Sequence, residues 1–334
     1  MKKYLAQIIL ISTILLPLSV GAVATTPTIG GNLSIELEPK NPGSMTFVKA
    51  TAVSFEAELG SATISWYLNG KLEREGVGQN NFTFQTDKPG QISIIKTVIK
   101  TDKKQIEKTI LINPADVDIV WEANTYTTPF YKGKALASPS STIKITAIPS
   151  IISNQGTALS PANLTYKWKY NYENLLSGIG KQNAEIKTGS PFTDNVISVV
   201  VSDNTGSIVA EKTIKIRPEN PNIVFYEDKS IEGTNYNMAL DNTYNLSEKE
   251  STVRAEPYFF SYPKSATENN LLFSWALNSN GIAPNDGSPK IITLRNETGK
   301  NITSELSLSI ENTMQVFQSA INKLTIKATS GLGF

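Results

Sequence analysis

The sequence predicts an all-β protein that consists of three β-sandwiches in tandem. Tryptophan recurs in similar segments at Trp66, Trp168 and Trp275, at intervals of 102 and 107 residues. Segments along the whole chain alternate apolar and polar residues, which is the period of a strand with one buried face. The chain after its N-terminal segment, roughly 310 residues, has room for three sandwiches of about 100 residues each.

The first 24 residues have the three parts of a secretory signal peptide. Lys2 and Lys3 form a short positive segment, and a mostly apolar run follows over residues 5–18. Residues 22–24, Ala-Val-Ala, then supply the small side chains of a cleavage site. The apolar run is short for a membrane span, which needs about 20 residues. We therefore expect cleavage after Ala24 and export to the periplasm, the cell surface or the medium. The membrane would be contacted only through an uncleaved signal segment.

Each repeated tryptophan lies in an alternating segment that then reaches an asparagine. These segments are residues 64–70, 164–171 and 271–278. The sequence predicts a glycine-containing turn region after each of them, at residues 75–78, 177–180 and 281–287. Two alternating strands follow in every repeat: 92–100 and 106–112, 196–202 and 208–216, and 304–310 and 320–328. Turn-forming residues separate the two strands in the first and second repeats, which predicts a hairpin.

Proline marks the joins between the repeats. Pro114 and Pro218 follow the last strand of the first and second repeats, and proline cannot donate to a sheet ladder. New strands are expected at residues 142–148 and 251–255. The predicted units are a signal peptide at 1–24 and domains at 31–113, 116–218 and 221–330. The linkers are short and lack glycine, which predicts a stiff, elongated array.

The tryptophan strands, the late strand pairs and their spacing resemble bacterial immunoglobulin-like and PKD-like domains. The stretch 81–94, which contains Asn-Phe-Thr-Phe and Pro-Gly-Gln-Ile-Ser-Ile, is the most PKD-like part. The Trp-Asp-Phe-Gly-Asp-Gly signature common in PKD domains is absent, and residues 66–70 are its nearest counterpart. The resemblance implies tandem immunoglobulin-like (PKD-like) β-sandwiches of a bacterial cell envelope. Such domains commonly act there as spacers or binding modules.

The composition excludes several kinds of site. The chain has no histidine and no cysteine, so neither a Ser-His nor a Cys-His pair can provide a catalytic nucleophile. A carboxylate pair is the remaining catalytic option, but no local motif marks one. The net charge of +1 gives no bias toward nucleic acid. We predict a protein that is not an enzyme and needs no cofactor or metal.

Calcium is the one metal that deserves separate consideration in a tandem surface protein. Asp116 and Asp118 lie at a domain join, where a bound calcium ion would stiffen the array. Calcium needs six to eight oxygen ligands, and these two carboxylates fall short of a motif.

Two groups of aromatic residues are candidates for named roles. Trp66, Trp168 and Trp275 are predicted to be structural core residues, packed between the two sheets of each sandwich, and stacking platforms for sugars are the alternative. Trp121, Tyr126, Phe130 and Tyr131 are a possible interaction surface. Packing of this second group at the junction of the first domain with the second is the alternative.

These observations lead to a functional hypothesis with rivals from other classes. The leading one is a non-catalytic exported envelope protein that acts as a structural spacer or protein-interaction module. The alternatives are an adhesin or carbohydrate-binding surface protein, and a subunit of a surface filament or secretion assembly. The expected partner is an envelope protein or a glycan.

Overall fold

The structure is a computed structural model of the chain, which describes residues 33–55, 57–246, 250–261, 270–285, 287–297 and 300–328. The signal peptide predicted at residues 1–24 lies outside these ranges. Within them the chain forms 23 β-strands and one short 3-10 helix, Pro161–Asn163. No helix of this described part is long and apolar enough to cross a membrane. The all-β prediction is confirmed.

Seven strands form the first sandwich. They are β1 (Leu33–Glu38), β2 (Phe47–Ser54), β3 (Thr63–Leu68), β4 (Lys71–Val77), β5 (Asn81–Gln85), β6 (Ser93–Lys100) and β7 (Gln105–Ile112). One sheet has the order β1-β2-β5 and the other has the order β4-β3-β6-β7. Side chains from both sheets meet in one hydrophobic cluster, which includes Trp66, Phe82 and Ile99.

The second sandwich repeats this arrangement. Its strands are β8 (Asp116–Ala123), β9 (Thr142–Ser150), β10 (Thr165–Tyr170), β11 (Glu173–Ile179), β12 (Asn183–Lys187), β13 (Asn195–Ser202) and β14 (Val209–Ile216). The sheets have the orders β12-β9-β8 and β11-β10-β13-β14. In both sandwiches the first, second and fifth strands face the other four, with Trp on the third strand. This distribution is that of an immunoglobulin-like sandwich.

The third sandwich has the same plan with added strands. It contains β15 (Asn222–Lys229), β16 (Gly233–Leu240), β17 (Thr243–Leu246), β18 (Glu250–Tyr258), β19 (Leu271–Leu277), β20 (Asn280–Ile282), β21 (Ile291–Arg295), β22 (Ile302–Asn312) and β23 (Ser319–Ala328). The sheets have the orders β16-β15-β18-β21 and β17-β23-β22-β19-β20. β17 pairs with β23 in parallel, whereas the other pairings described are antiparallel.

Alternating side chains account for the interiors of the sandwiches. On β6 the buried residues include Ile95 and Ile99, and every second residue is likewise buried along β13 and, from Leu306 onward, along β22. The period of two places apolar side chains on one face, and two such faces enclose each cluster. Since the chain lacks cysteine, this packing stabilises the interior without a disulfide.

The sequence prediction of glycine-containing turns after the tryptophan strands is wrong in position. Residues 75–78 and 177–180 fall largely within β4 and β11, and 281–287 begins in β20. The turns come earlier, at residues 69–70, 171–172 and 278–279, where all six residues have positive φ. Two successive left-handed residues form the hairpin turn whose twist matches that of the flanking strands. Asparagine tolerates this conformation at the first position.

Each predicted domain range contains one of the three hydrophobic clusters, except that Ala115 of the second cluster lies one residue before the range 116–218. The boundaries near residues 114 and 219 remain predictions, as does the PKD-like subtype suggested by residues 81–94. The predicted late strand pairs appear as β6 and β7, β13 and β14, and β22 and β23, each shifted by at most two residues at an end.

Candidate functional site

The three repeated tryptophans lie inside the sandwiches, with exposed fractions of 0%, 1% and 3% for Trp66, Trp168 and Trp275. Each indole N–H is also bonded internally. The acceptors are the backbone carbonyls of Gln79 at 2.8 Å, Lys181 at 2.8 Å and Pro289 at 2.9 Å. Buried rings with satisfied polar atoms offer no face to a ligand, so the functional site has to be sought elsewhere.

Trp121 is separate from the other three residues of the predicted interaction surface. It is partly buried on β8 and packs against the hydrophobic cluster of the second sandwich. The ammonium group of Lys134 lies 3.1 Å from the centre of its ring. Burial lowers the pKa of this lysine. Trp121 is therefore held by its own sandwich and its neighbouring lysine.

Tyr126, Phe130 and Tyr131 lie on residues 124–141, which join β8 to β9 and are here called the junction loop. The alternative prediction placed this group at the junction of the first domain with the second, whereas the loop packs on its own sandwich and on the third one. β8 begins at the join with the first sandwich and runs away from it, so the loop lies at the opposite end. There Tyr131 packs on Tyr258, with ring centres 5.5 Å apart.

Backbone hydrogen bonds connect the junction loop to the third sandwich. The N–H of Tyr126 donates to the carbonyl of Phe260 at 2.8 Å, and the N–H of Phe259 donates to the carbonyl of Tyr126 at 2.8 Å. Thr125 and Ser261 form an isolated antiparallel bridge beside them. The two sandwiches are thus joined by a short piece of sheet-like pairing as well as by the linker.

A fully buried carboxylate lies beneath this pairing. Glu256, on β18, accepts hydrogen bonds from the hydroxyl of Tyr126 and, at 2.9 Å, from that of Tyr236. The guanidinium of Arg254 donates to it at 2.7 Å, and the ammonium of Lys290 lies 3.4 Å away. Lys290 also lies 4.5 Å from the centre of the Tyr126 ring. Tyr126 of the second sandwich therefore donates a hydrogen bond to a charged cluster whose other members belong to the third sandwich.

The electrostatics of the cluster keep Glu256 ionised. Burial by itself would raise the pKa of this carboxyl group, because it disfavours the charged form. Hydrogen bonds from Tyr126, Arg254 and Tyr236 and the charge of Lys290 act in the opposite direction and hold the pKa of Glu256 below its usual range. A buried, fully engaged carboxylate is not accessible to a substrate, so this cluster has a structural role.

A second buried polar cluster crosses the same junction. Gln318, in the turn between β22 and β23, donates to the hydroxyl of Ser138 at 2.9 Å and the carbonyl of Pro139 at 2.7 Å. Its carbonyl oxygen accepts from the backbone N–H of Ser261 and the side chain of Asn312, both at 2.9 Å. Ser138 and Gln318 are almost completely buried. The side-chain nitrogen of Gln318 therefore reaches across the junction, while its oxygen is held within the third sandwich.

An aromatic cavity opens beside these clusters and is here called the junction cavity. Its volume is about 570 Å³. It is lined by residues 128–133 of the junction loop and by Asn222, Val224, Tyr226, Tyr236, Asn237, Tyr258 and Phe259 of the third sandwich. Phe130 is 92% exposed and Tyr131 is 39% exposed. Two of the four residues of the predicted interaction surface thus line one cavity, and Tyr126 shares its acceptor Glu256 with the lining residue Tyr236.

The junction of the first and second sandwiches is held by smaller contacts. Asp116 accepts hydrogen bonds from the backbone N–H of Ser44 at 3.0 Å and from its hydroxyl. Asn113 donates to the carbonyl of Ile152 at 3.1 Å. Asp118 is exposed and lies 3.9 Å from the ammonium of Lys212. Across the described ranges, no group of three or more Asp and Glu residues is arranged to hold a metal ion.

The sequence analysis missed Glu256, Arg254, Lys290 and Gln318. Nothing in their local sequence distinguishes them, because charged and polar residues are common along half-exposed strands and turns. Their partners lie far along the chain: Tyr126 and Glu256 are separated by 130 residues, and Ser138 and Gln318 by 180. The packing of the two sandwiches creates these clusters.

No family model matches the sequence, and neither does any curated protein. Among solved structures, the three N-terminal domains of the bacteriophage RB49 highly immunogenic outer capsid protein are 10% identical, over 89% of this chain and 98% of that chain, with a TM-score of 0.26. The central fibronectin-III array of RIM-binding protein is 12% identical, over 89% and 95% respectively, with a TM-score of 0.30.

A further similar structure is Sidekick-1 immunoglobulin domains 1–4, which is 9% identical, over 89% of this chain and 74% of that chain, with a TM-score of 0.20. The assignment of the fold rests on the strand orders and buried tryptophans described above. By these criteria the chain is a tandem protein of immunoglobulin-like β-sandwiches.

Proposed function

We propose that this chain is an exported, non-catalytic spacer and protein-interaction module of a bacterial cell envelope. The predicted signal peptide supports export, and the tandem sandwiches support a role in spanning distance. Within the described residues, the best candidate for a reactive carboxylate, Glu256, is buried and paired. A passive mechanism, in which the protein holds binding surfaces at a set separation, fits these features.

The junction of the second and third sandwiches is the observation that carries the proposal. A spacer holds its binding surfaces at a fixed distance and orientation only if its domains do not rotate relative to one another about their linkers. Here the Glu256 and Gln318 clusters both take partners from the two sandwiches. Opening the junction would break the hydrogen bonds that Tyr126 and Gln318 make across it, each of which contributes about 0.5–1.5 kcal/mol, and about 1.5–3 kcal/mol where the acceptor is charged. The second and third sandwiches therefore act as one rigid unit.

Distance measurements between spin labels test this rigidity directly. The chain has no cysteine, so labels attach only at introduced positions. Glu185→Cys on β12 and Lys327→Cys on β23 place exposed labels on the second and third sandwiches. We expect a narrow distance distribution by double electron-electron resonance. A broad distribution in the otherwise unmodified chain would overturn the proposal.

Substitutions at the junction test whether its hydrogen bonds cause the narrow distance distribution. Tyr126→Phe removes one hydroxyl from the Glu256 cluster, and Gln318→Ala removes the centre of the second cluster. Both should broaden the distribution. Tyr166→Phe is the matched control, because it removes a tyrosine hydroxyl that bonds within the second sandwich, to the carbonyl of Pro161 at 3.0 Å. It should leave the distribution unchanged.

Export is tested separately, by expression in a bacterial host. Fractionation should recover the chain outside the cytoplasm, and N-terminal sequencing should begin at Thr25. Retention in the cytoplasm with Met1 in place would contradict the proposed location. Crosslinking in the native envelope, followed by isolation of the chain, would then identify the protein that it contacts.

A further inference from the structure

The floor of the junction cavity is made of tyrosines whose hydroxyl groups are already engaged. The hydroxyl of Tyr258 lies 2.8 Å from those of both Tyr226 and Thr128. The hydroxyl of Tyr236 donates to Glu256 at 2.9 Å. Since these polar atoms are used inside the protein, the cavity offers a ligand mainly aromatic surface. Burial raises the pKa of Tyr226 above its ordinary value.

Hydrogen-bonding groups stand at the rim of the cavity. Asn222 and Asn237 are exposed carboxamides, and Lys132 is an exposed ammonium. The residues that line the cavity include no Asp or Glu. The site therefore combines aromatic surface with neutral donors and acceptors and a single positive charge. A ligand that fits has an apolar face, several hydroxyl or carbonyl groups, and either no charge or a negative one.

Two aromatic residues of the cavity have an unfavourable backbone conformation. Phe130 and Phe259 both have φ of 64°, in the left-handed region that bulky residues avoid. Such residues are destabilising by about 1–3 kcal/mol each and concentrate at ligand-binding and active sites. They come from different sandwiches and line the same cavity. The junction thus holds an exposed Phe130 and a half-buried Phe259 in conformations that backbone preference does not favour.

An extended peptide fits this site less well than a sugar. β16 is an edge strand beside the cavity, and a peptide could in principle add to it. However, the register of its pairing with β15 shifts between Tyr226 and Asp228, so the strand is irregular there. The N–H of Asn237 donates to the side chain of Asn235 at 3.3 Å. Irregular edges with locally satisfied groups are poor templates for another strand.

We propose that the junction cavity is a saccharide-binding site, which takes a pyranose ring of a glycan. The apolar face of the ring would pack on Phe130 and the neighbouring aromatic surface. Its hydroxyl groups would bond to Asn222 and Asn237 at the rim. The volume of about 570 Å³ lies within the roughly 300–1,000 Å³ of small-molecule pockets. This binding activity goes beyond the spacer role proposed above and depends on residues that the rigidity test leaves unchanged.

A glycan array tests the proposal with the chain lacking residues 1–24. The array carries immobilised neutral and acidic oligosaccharides, and the strongest binder is then measured in solution by isothermal titration calorimetry. We expect Phe130→Ala to weaken binding about tenfold, because it removes an aromatic contact. Asn237→Ala should weaken it severalfold by removing a hydrogen-bonding side chain. Both residues are exposed, so both variants should fold normally.

Phe192→Ala is the matched control. Phe192 is 84% exposed and has φ of 65°, like Phe130, but it does not line the cavity. Binding that is lost in Phe130→Ala and kept in Phe192→Ala would support the site. The proposal is overturned if no glycan binds, or if Phe130→Ala and Phe192→Ala bind the glycan equally well. It is also overturned if a phage-displayed peptide, and no glycan, binds in a manner that depends on Phe130.

Discussion

The indole N–H of Trp66 donates a hydrogen bond to the backbone carbonyl of Gln79, 2.8 Å away and 13 residues further along the chain. Trp168 and Lys181 have the same relationship, at the same distance and the same separation. Gln79 and Lys181 lie after the edge strands β4 and β11, so each bond connects the third strand to the segment that leads to the other sheet. The recurring tryptophan therefore fills the core and also positions the crossing between the sheets.

Truncation of Trp168 should destabilise the second sandwich. Trp168→Ala removes a ring that is 1% exposed, at an expected loss of about 3–5 kcal/mol. Differential scanning calorimetry of the full chain should show one component of the transition moving to lower temperature. Lys167→Ala is the control, because this neighbouring residue is exposed on the same strand. Equal melting profiles for the two variants would contradict the core role.

The hairpin asparagines make a second prediction. Asn171 has φ of 48°, and its side-chain oxygen accepts a hydrogen bond from the N–H of Val196 at 2.9 Å. Asn171→Ala loses this bond and places an unfavourable residue in the left-handed region, so we expect a loss of about 2 kcal/mol. Asn171→Gly tolerates the backbone conformation and should lose about half as much.

Chemical denaturation of the two Asn171 variants, monitored by tryptophan fluorescence, tests whether Asn171→Ala is more destabilising than Asn171→Gly. If alanine and glycine are equally destabilising, the backbone conformation is not the cause and only the lost hydrogen bond matters. Asn69 and Asn278 make the corresponding bonds to the N–H groups of Ile94 and Glu305, each at 2.8 Å. The same order of effects should therefore hold in the first and third sandwiches.

The hairpin turns illustrate how far local sequence predicts this fold. Trp strands, late strand pairs and their spacing were predictable because the two-residue period and the recurring Trp are properties of short segments. The turn at Asn171-Tyr172 was not, because a tyrosine at the second left-handed position lacks the usual glycine signal. For the same reason the turn was predicted at residues 177–180, which fall largely within β11.

The junction was less predictable than the sandwiches. Tyr126, Phe130 and Tyr131 were recognised as a group because aromatic residues are concentrated there. Their contact with the third sandwich depends on the direction of β8, which local patterns do not reveal. Nothing near Glu256 in the sequence indicates a buried carboxylate. Such a site exists only because separate parts of the chain supply its donors.

Glycine at position 90 should be required at the first junction. Gly90 has φ of 81°, and a Cβ atom there would lie 2.6 Å from Cγ2 of Ile152 in the second sandwich. Gly206 has a similar φ of 73°, with open space where its Cβ would be. We expect Gly90→Ala to be more destabilising than Gly206→Ala by about 1–3 kcal/mol, the range for overpacking.

Calorimetry of both glycine variants measures this difference in stability. Both substitutions place alanine at a positive φ, so the backbone contribution cancels and the steric contact with Ile152 remains. In a chain that also carries Ile152→Ala, Gly90→Ala should be little more destabilising than Gly206→Ala. The loss of stability caused by Gly206→Ala should be the same with and without Ile152→Ala. If the double variant shows no recovery, the steric contact between the first two sandwiches is not the cause.

Protonation of Glu256 should loosen the junction of the second and third sandwiches. The folded protein holds the pKa of this carboxyl group below its usual range, whereas the unfolded chain binds a proton near pH 4.3. The stabilisation is therefore complete above about pH 4.3 and is lost as the pH falls through the folded-state pKa. The stability of the chain, measured by urea denaturation from pH 7 to pH 3, should fall toward the acid end partly for this reason.

Glu256→Gln separates this contribution from general acid effects. At pH 7 the variant should be destabilised by about 3–5 kcal/mol, because it removes the buried carboxylate that pairs with Arg254 and Lys290. As the pH falls below about 4 toward the folded-state pKa of Glu256, the difference in stability between the variant and the unmodified chain should shrink. Glu250→Gln is the control on the same strand, because it breaks the exposed pair with Arg295, which solvent screens and which contributes little to stability. Parallel pH profiles for Glu256→Gln and the unmodified chain would show that this carboxylate does not hold the junction through its charge.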